Sequence, residues 1–334
     1  VRERAATAPA AGPASETGTL SPIGARRRLS LVASGRLPAD VSRRHVLDRL
    51  SGFLALTKPR IVELLLVTTV PAMVLAARGW PGTALVAETV VGGALAAGGA
   101  NAANMVYDRD IDAVMGRTKS RPIVSGVVSA TEAAVFAALL EVAAFALLAT
   151  TVNLLAAALT LAAAVFYVGV YTMLLKRSTR QNIVIGGAAG AAPALVGWAA
   201  VTGHLALAPV LLFGIVFLWT PPHFWALAIR YRDDYDQASV PMLPVVVDHR
   251  RVATHMTGYA LLLTATTLAL APVAHLGIPY AVVALVLGGI FVVRTWALRS
   301  DPRPERAMAV FHYSILYLAL LFLAVGLDAA VRGH

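Results

Sequence analysis

Residues 83–122 read TALVAETVVGGALAAGGANAANMVYDRDIDAVMGRTKSRP, and the change of character inside this stretch decides the fold. Up to Val106 the side chains are apolar or small apart from a few polar ones, chiefly Glu88, Asn101 and Asn104. The run is close to the roughly 20 residues that carry a helix through a bilayer. Beyond it come Asp108, Asp110 and Asp112, then Arg117, Lys119 and Arg121. An apolar run of this length that ends abruptly in charge reads as a transmembrane helix meeting its aqueous boundary.

The same alternation recurs on both sides. Apolar runs centre on 61–77, 84–106, 130–149, 152–175, 183–201, 205–229, 252–274, 278–298 and 308–331, which predicts about nine transmembrane helices. The whole chain agrees: 58% of its 334 residues are hydrophobic, 14% are charged and the mean hydropathy is +0.72, whereas a soluble domain carries about a quarter charged residues. A water-soluble globule is excluded. With no Cys, so are a disulfide framework, thiolate metal or iron–sulfur sites and a cysteine nucleophile. The expected fold is all-α, a polytopic membrane protein with its helices around a central cavity, in one membrane domain over 51–334. The least regular spans are the fifth and sixth, interrupted by Gly186, Gly187, Gly190 and Pro193, then by Pro221 and Pro222. Gly186 and Gly190, four apart, suit close helix packing.

Residues 1–50 differ: nine Arg, four acids, many Ala, Pro, Ser and Gly, and no apolar run long enough for a span or a signal-peptide core. They read as a disordered basic tail, equally compatible with a mitochondrial transit peptide and a cytoplasmic extension. If the N-terminus is cytoplasmic, every Lys and Arg except Arg78 and Arg332 falls on the cytoplasmic side. That is a strong positive-inside pattern for an odd number of spans. The net charge of +10 thus reflects topology, and nucleic acid is not an expected partner. The expected location is a bacterial plasma membrane, or else a mitochondrial inner membrane, with the acidic loops cytoplasmic.

Six of the 18 acids lie in two short segments, Asp108, Asp110 and Asp112 after the second span and Asp233, Asp234 and Asp236 after the sixth. Asn104, Asp108 and Asp112 recur every fourth residue, which on a helix drifts about 40° per step and lines one face with oxygen side chains. Such acceptors repel one another unless a hard cation joins them, and Mg²⁺ takes a few carboxylates and completes its shell with phosphate oxygens and water. Solvated loop carboxylates give the same pattern, but a second acidic segment at the same depth weighs against them. The nearby cations Arg117, Lys119, Arg121, Lys176 and Arg177 suit a diphosphate. For Arg180, Arg250 and Arg251 the positive-inside bias is explanation enough. No Gly-Lys pair exists, so a Walker-type phosphate loop is excluded.

The stretch NAANMVYDRDIDAVMGRTKSRP (101–122) resembles the first aspartate motif of UbiA-type intramembrane prenyltransferases, and within them the heme O synthase branch. Three further stretches agree: TKPRIVELLLVTTVPAM from Thr57, KRSTRQNIVIGGAAGAAPALVGW (176–198) and TPPHFWALAIRYRDDYDQASVPMLPVV (220–246). The resemblance spans about residues 52–330. It implies that Asn104, Asp108, Asp112 and Asp234 hold Mg²⁺, with Asp108, Asp112 and Asp234 catalytic. It implies further that Lys119, Arg121, Lys176, Arg177 and Tyr231 bind diphosphate. The family's second motif is occupied by Tyr231, Asp234 and Ala238; Ala238 departs from the fuller acidic form, which leaves Asp234 as that motif's surest ligand. The implied reaction transfers the farnesyl group of farnesyl diphosphate to the C2 vinyl group of heme B, which is a substrate and not a cofactor. Both pigments are poorly soluble, so an enzyme converting heme O to heme A is an expected partner alongside membrane lipid.

A heme acceptor directs attention to histidines within or at the ends of spans, His223, His255 and His312. His223 stands out because Pro221 and Pro222 are expected to break its helix, and Phe224 and Trp225 beside it suit a porphyrin face. An ordinary packing cluster has the same composition. Two other readings remain open at this point, a related prenyltransferase acting on an aromatic or quinone precursor and a membrane transporter. Acids gathered at one membrane face, not near the midplane, count against transport.

Overall fold

The structure, a computed structural model, describes the backbone of residues 39–332 and, within it, the side chains outside 39–45 and 60–66. The described elements are α1 (Ala39–Leu56), α2 (Pro59–Ala77), α3 (Thr83–Tyr107), α4 (Arg109–Val114), α5 (Ala130–Thr151), α6 (Leu154–Val165) running on as a π-helix over Phe166–Leu175, α7 (Asn182–Thr202), α8 (Leu207–Arg230), α9 (Arg232–Gln237), α10 (Leu243–Val246), α11 (His249–Val273), α12 (Ile278–Ser300) and α13 (Pro304–Arg332). No strand occurs among them. Eight helices are long and apolar enough to cross a membrane: α3, α5, α6 with its π-helical continuation, α7, α8, α11, α12 and α13. The first expected span is α2, 19 residues long and apolar over Val67–Ala77.

Local sequence starts these helices where it should. Pro59 opens α2, where its missing N–H is not needed. Ser129 and Glu132 form a reciprocal capping box at α5, and Asn153 caps α6. Consecutive spans pack side by side, and α13 returns to α2, so the helices close into a ring. Lipid supplies no hydrophobic drive between helices, so close packing must hold them. The α2–α7 crossing shows how tight that becomes: a Cβ on Gly197 would stand 2.5 Å from the Thr69 carbonyl oxygen. Large apolar side chains such as Leu139, Val142, Leu285, Val293 and Leu323 are exposed on the outer surface, the inversion expected of a bundle solvated by acyl chains.

The end of the stretch read as tail, residues 39–50, lies in α1, where Val46, Leu47, Leu50, Phe53 and Leu54 recur at helical spacing; residues 1–38 lie outside the described residues. Two expectations need correction. The fifth and sixth spans are continuous. Pro193, Pro221 and Pro222 sit inside α7 and α8 without ending them, since backbone in lipid has no partner but its own helix and the neighbours brace it. Close packing uses Gly186, Gly187 and Gly197, not Gly190, around which nothing lies within 4 Å.

Candidate active site

Asn104 lies in the last turn of α3, Asp108 caps that helix, and Asp112 lies one turn further along α4. The amide of Asp108 donates to the Asn104 carbonyl and that of Asp112 to the Asp108 carbonyl, each at 2.9 Å. The helical path therefore continues through the junction and keeps all three side chains on one face. All three are buried, Asp108 completely. A buried carboxylate needs a partner, and each acid has one: Lys176 and Arg177 meet Asp108, and Arg121 meets Asp112 at 2.6 Å. Asn104 donates from Nδ2 to Asp108 at 2.7 Å and to the Thr172 hydroxyl at 3.1 Å.

Thr172 reaches this point because the chain is π-helical there. Its hydroxyl donates to the Tyr167 carbonyl five residues back, and the Lys176 amide likewise donates to the Tyr171 carbonyl. The wider turn brings Thr172 and Lys176 to the acids, consistent with the frequent use of π-helical turns at functional sites. Asn182, fully buried at the start of α7, steadies the arrangement by donating from Nδ2 to the Lys176 carbonyl at 3.2 Å.

A participant that sequence reading missed is Lys58. Its ammonium donates to the side-chain oxygens of Asn101 and Asn104 at 3.3 and 3.2 Å. The backbone there is left-handed, φ 50° and ψ 69°, a conformation disfavoured for a non-glycine residue and doubly so before proline. Packing holds it there and directs the lysine inward. Burial pushes Lys58 down to about 7, with repulsion from Arg121 and Lys176 adding to the effect and the pull of Asp112 and Asp108 opposing it. In sequence it counts only as one more cytoplasmic cation, because its partners lie more than forty residues away.

Other expected residues are placed unequally. Arg177 grips Asp110 with two hydrogen bonds of 2.6 and 2.7 Å, which holds Asp110 down at about 2; Asp110 thus serves to anchor Arg177. Lys119 is exposed and joins none of the ion pairs around the acids. Tyr231 and Asp234 line a cavity of about 470 Å³ with Gly116, Arg117, Arg230 and Asp233. A Cβ on Gly116 would sit 3.6 Å from an Asp234 carboxylate oxygen, so the second acidic segment faces the loop that follows the first. Arg117 lies over the Tyr231 ring.

The three histidines separate clearly. His255 and His312 are exposed. His223 is buried in α8, stacked between Trp219 and Phe311 at 4.2 and 4.6 Å. Its Nδ1 lies 2.7 Å from the Ser314 hydroxyl, which itself donates to the Phe311 carbonyl. A hydroxyl has one proton to give, so Nδ1–H donates to it and Nε2 keeps its lone pair. Trp225, expected against a porphyrin face, is instead buried in the core, edge-on to Tyr259.

The chain that carries this site is similar to known proteins along most of its length. Residues 65–324 match the model of the UbiA prenyltransferase family. The protoheme IX farnesyltransferase of Clavibacter michiganensis subsp. michiganensis is 54% identical over 286 residues, 85% of this chain and 94% of that one. Protoheme IX farnesyltransferase 1 of Saccharopolyspora erythraea is 53% identical over 285 residues, 84% and 91% of the two chains. Among solved structures, one of digeranylgeranylglyceryl phosphate synthase superposes with a TM-score of 0.71 at 18% identity, covering 85% of this chain and 99% of that one. A UbiA homolog from Archaeoglobus fulgidus bound to DMAPP and Mg²⁺ gives 0.64 at 18% identity, covering 84% and 99%. Since the family model takes in most of the length and every one of the acidic residues discussed, this chain belongs to the UbiA prenyltransferase family.

Proposed function

We propose that this prenyltransferase transfers the farnesyl group of farnesyl diphosphate to the C2 vinyl group of heme B, giving heme O and diphosphate. The observation that carries the reading is the buried set Asn104, Asp108 and Asp112, balanced by Lys58, Lys176, Arg177 and Arg121 at one end of an apolar bundle. Identity above 50% to proteins named protoheme IX farnesyltransferase narrows the acceptor.

The donor set is chemically suited to Mg²⁺, with hard oxygens from Asn104, Asp108, Asp112 and Asp234. Among the described residues no three His, Asp or Glu converge on one point; Asp108 and Asp112 are turned to cations instead. Each of those ion pairs has an equivalent exchange: a divalent ion for the cation at the carboxylate, and phosphate oxygens for the carboxylate at the cation. Arg177 Nε is buried without a hydrogen-bond partner, a donor with capacity for such an anion. When bound, the metal neutralises charge building on the departing diphosphate. Lys58, Lys176, Arg177 and Arg121 would hold the phosphates, with Lys119 and Tyr231 at the rim. The positive charge of Lys176, Arg177 and Arg121, joined by Lys58 once a bound anion holds its proton, favours ionisation of the allylic C–O bond. The apolar helices house the prenyl chain and keep water from the cation. The prenyl C1 bonds to the terminal vinyl carbon, water adds to the adjacent carbon, and its proton leaves with diphosphate. His223 is the heme contact favoured here over His255 and His312, because its tautomer leaves Nε2 a lone pair and Ser314 fixes its ring, as a hydrogen-bonded second partner does for a ligating histidine.

Purified protein incubated with Mg²⁺, farnesyl diphosphate and either heme B or 4-hydroxybenzoate, read by mass spectrometry, tests the reading. Heme O is expected only with heme B, and excess EDTA should abolish it. A prenylated benzoate would assign the chain to another acceptor, and full turnover in EDTA would remove the metal.

A further inference from the structure

A second cavity, of about 420 Å³, opens between the tips of α11 and α12, bordered by Arg250, Arg251 and Thr254 on one helix and Trp296, Arg299 and Ser300 on the other. None of these residues touches the acidic site. Three arginines border this concavity, and none of the ion pairs among the described residues includes them. The acids near them are engaged elsewhere: Asp248 accepts from the Arg250 amide at 3.0 Å, and Asp301 from Arg303 and Arg306. Gathered like charges without a counter-charge repel, and a bidentate oxyanion relieves them.

Topological bias accounts for arginines at this end of the bundle, but not for three of them bordering one cavity beside an exposed tryptophan. Arg299 lies 4.9 Å over the Trp296 ring, and Trp296 is half exposed on the outer surface. Indole side chains favour the level of the headgroups. Along α12 from Trp296 the same face continues with exposed Val293, Val286 and Val282, and α11 offers exposed Leu261 and Leu262. Cationic groups above, an interfacial ring between and an apolar stripe below make an amphiphile-shaped surface.

We propose that this cavity binds the phosphate of an anionic phospholipid, with Arg250, Arg251 and Arg299 around the phosphate, Trp296 at the headgroup boundary and the acyl chains along the valine face. A free phosphate matches the arginines but not the stripe, which favours the lipid. Basic pockets between helices on the cytoplasmic side are suited to such headgroups.

The test uses the delipidated full chain in detergent, supplied with phosphatidylglycerol, phosphatidylcholine or inorganic phosphate. Retained lipid is read by native mass spectrometry, and tryptophan quenching by bromine-labelled acyl chains. Phosphatidylglycerol should be retained at least about tenfold over phosphatidylcholine, and millimolar phosphate should not displace it. The Arg250→Gln/Arg251→Gln/Arg299→Gln variant should lose the preference. Arg180→Gln/Arg303→Gln/Arg306→Gln, with the same loss of charge, should keep it. Equal loss in both variants, or in neither, overturns the site; displacement by phosphate overturns the lipid. Should the first variant not fold, Trp296→Phe decides: quenching by brominated phosphatidylglycerol should fall, and unchanged quenching overturns the proposal.

Discussion

Lys58 and Lys119 show how differently two lysines of similar sequence setting can end up. Lys58 is drawn in to Asn101 and Asn104, while Lys119 stays exposed. Lys58→Ala should therefore lower turnover by at least about 100-fold, the scale of losing one positioned donor to a developing charge, and Lys119→Ala should cost clearly less. Steady-state rates at saturating heme compare them; a larger loss at Lys119 would mean that the loop closes over substrate. Asp108→Ala and Asp112→Ala should each cost at least about two orders of magnitude in rate, with Asp110→Ala milder because Asp110 only anchors Arg177. If Asp110 proved the most damaging of the three, the proposed face would be wrong. At His223 the change should appear in the acceptor. His223→Ala should keep its affinity for farnesyl diphosphate but bind heme B weakly with a shifted Soret band. An unchanged spectrum would return His223 to the packing role its stacking already supports.

Among the elements, the α2–α7 crossing and the π-helical end of α6 depend on details that hydropathy does not carry. Gly197→Ala would drive a methyl group into the Thr69 carbonyl, which is backbone and cannot rotate aside, so it should cost about 1–3 kcal/mol as an overpacked contact does. Gly190→Ala, with open space around it, should be close to neutral. Melting temperatures in one detergent would compare the two; equal destabilisation would place the close approach elsewhere. The small-residue spacing Gly186–Gly190 was legible as a packing signal, but which glycines do the packing depends on where α6 and α2 lie. Likewise Pro221 and Pro222 read as a break, and only the brace of neighbouring helices shows that α8 runs through them.

For the whole molecule, the charge count leads us to propose that the acidic loops face the cytoplasm. In this chain without native cysteine, one introduced at Ser120 should react with impermeant thiol reagents only from the cytoplasmic side, and one at His204 only from the other. Labelling of both from a single side would contradict the proposed topology. The spans, their number and the four-residue spacing of the acids were open to sequence reading because each is set by neighbours along the chain: bilayer thickness dictates the length of apolar runs, and helical pitch dictates which residues share a face. Tertiary structure alone decided that Lys58 and Thr172 join Asn104, that Lys176 and Arg121 neutralise Asp108 and Asp112, and that Lys119 stays out. It likewise chose His223 and not His312 for the interior. These pairings join residues on different elements of the chain, and their energy comes from buried polar and charged groups meeting across space, a quantity that spacing along one helix does not contain.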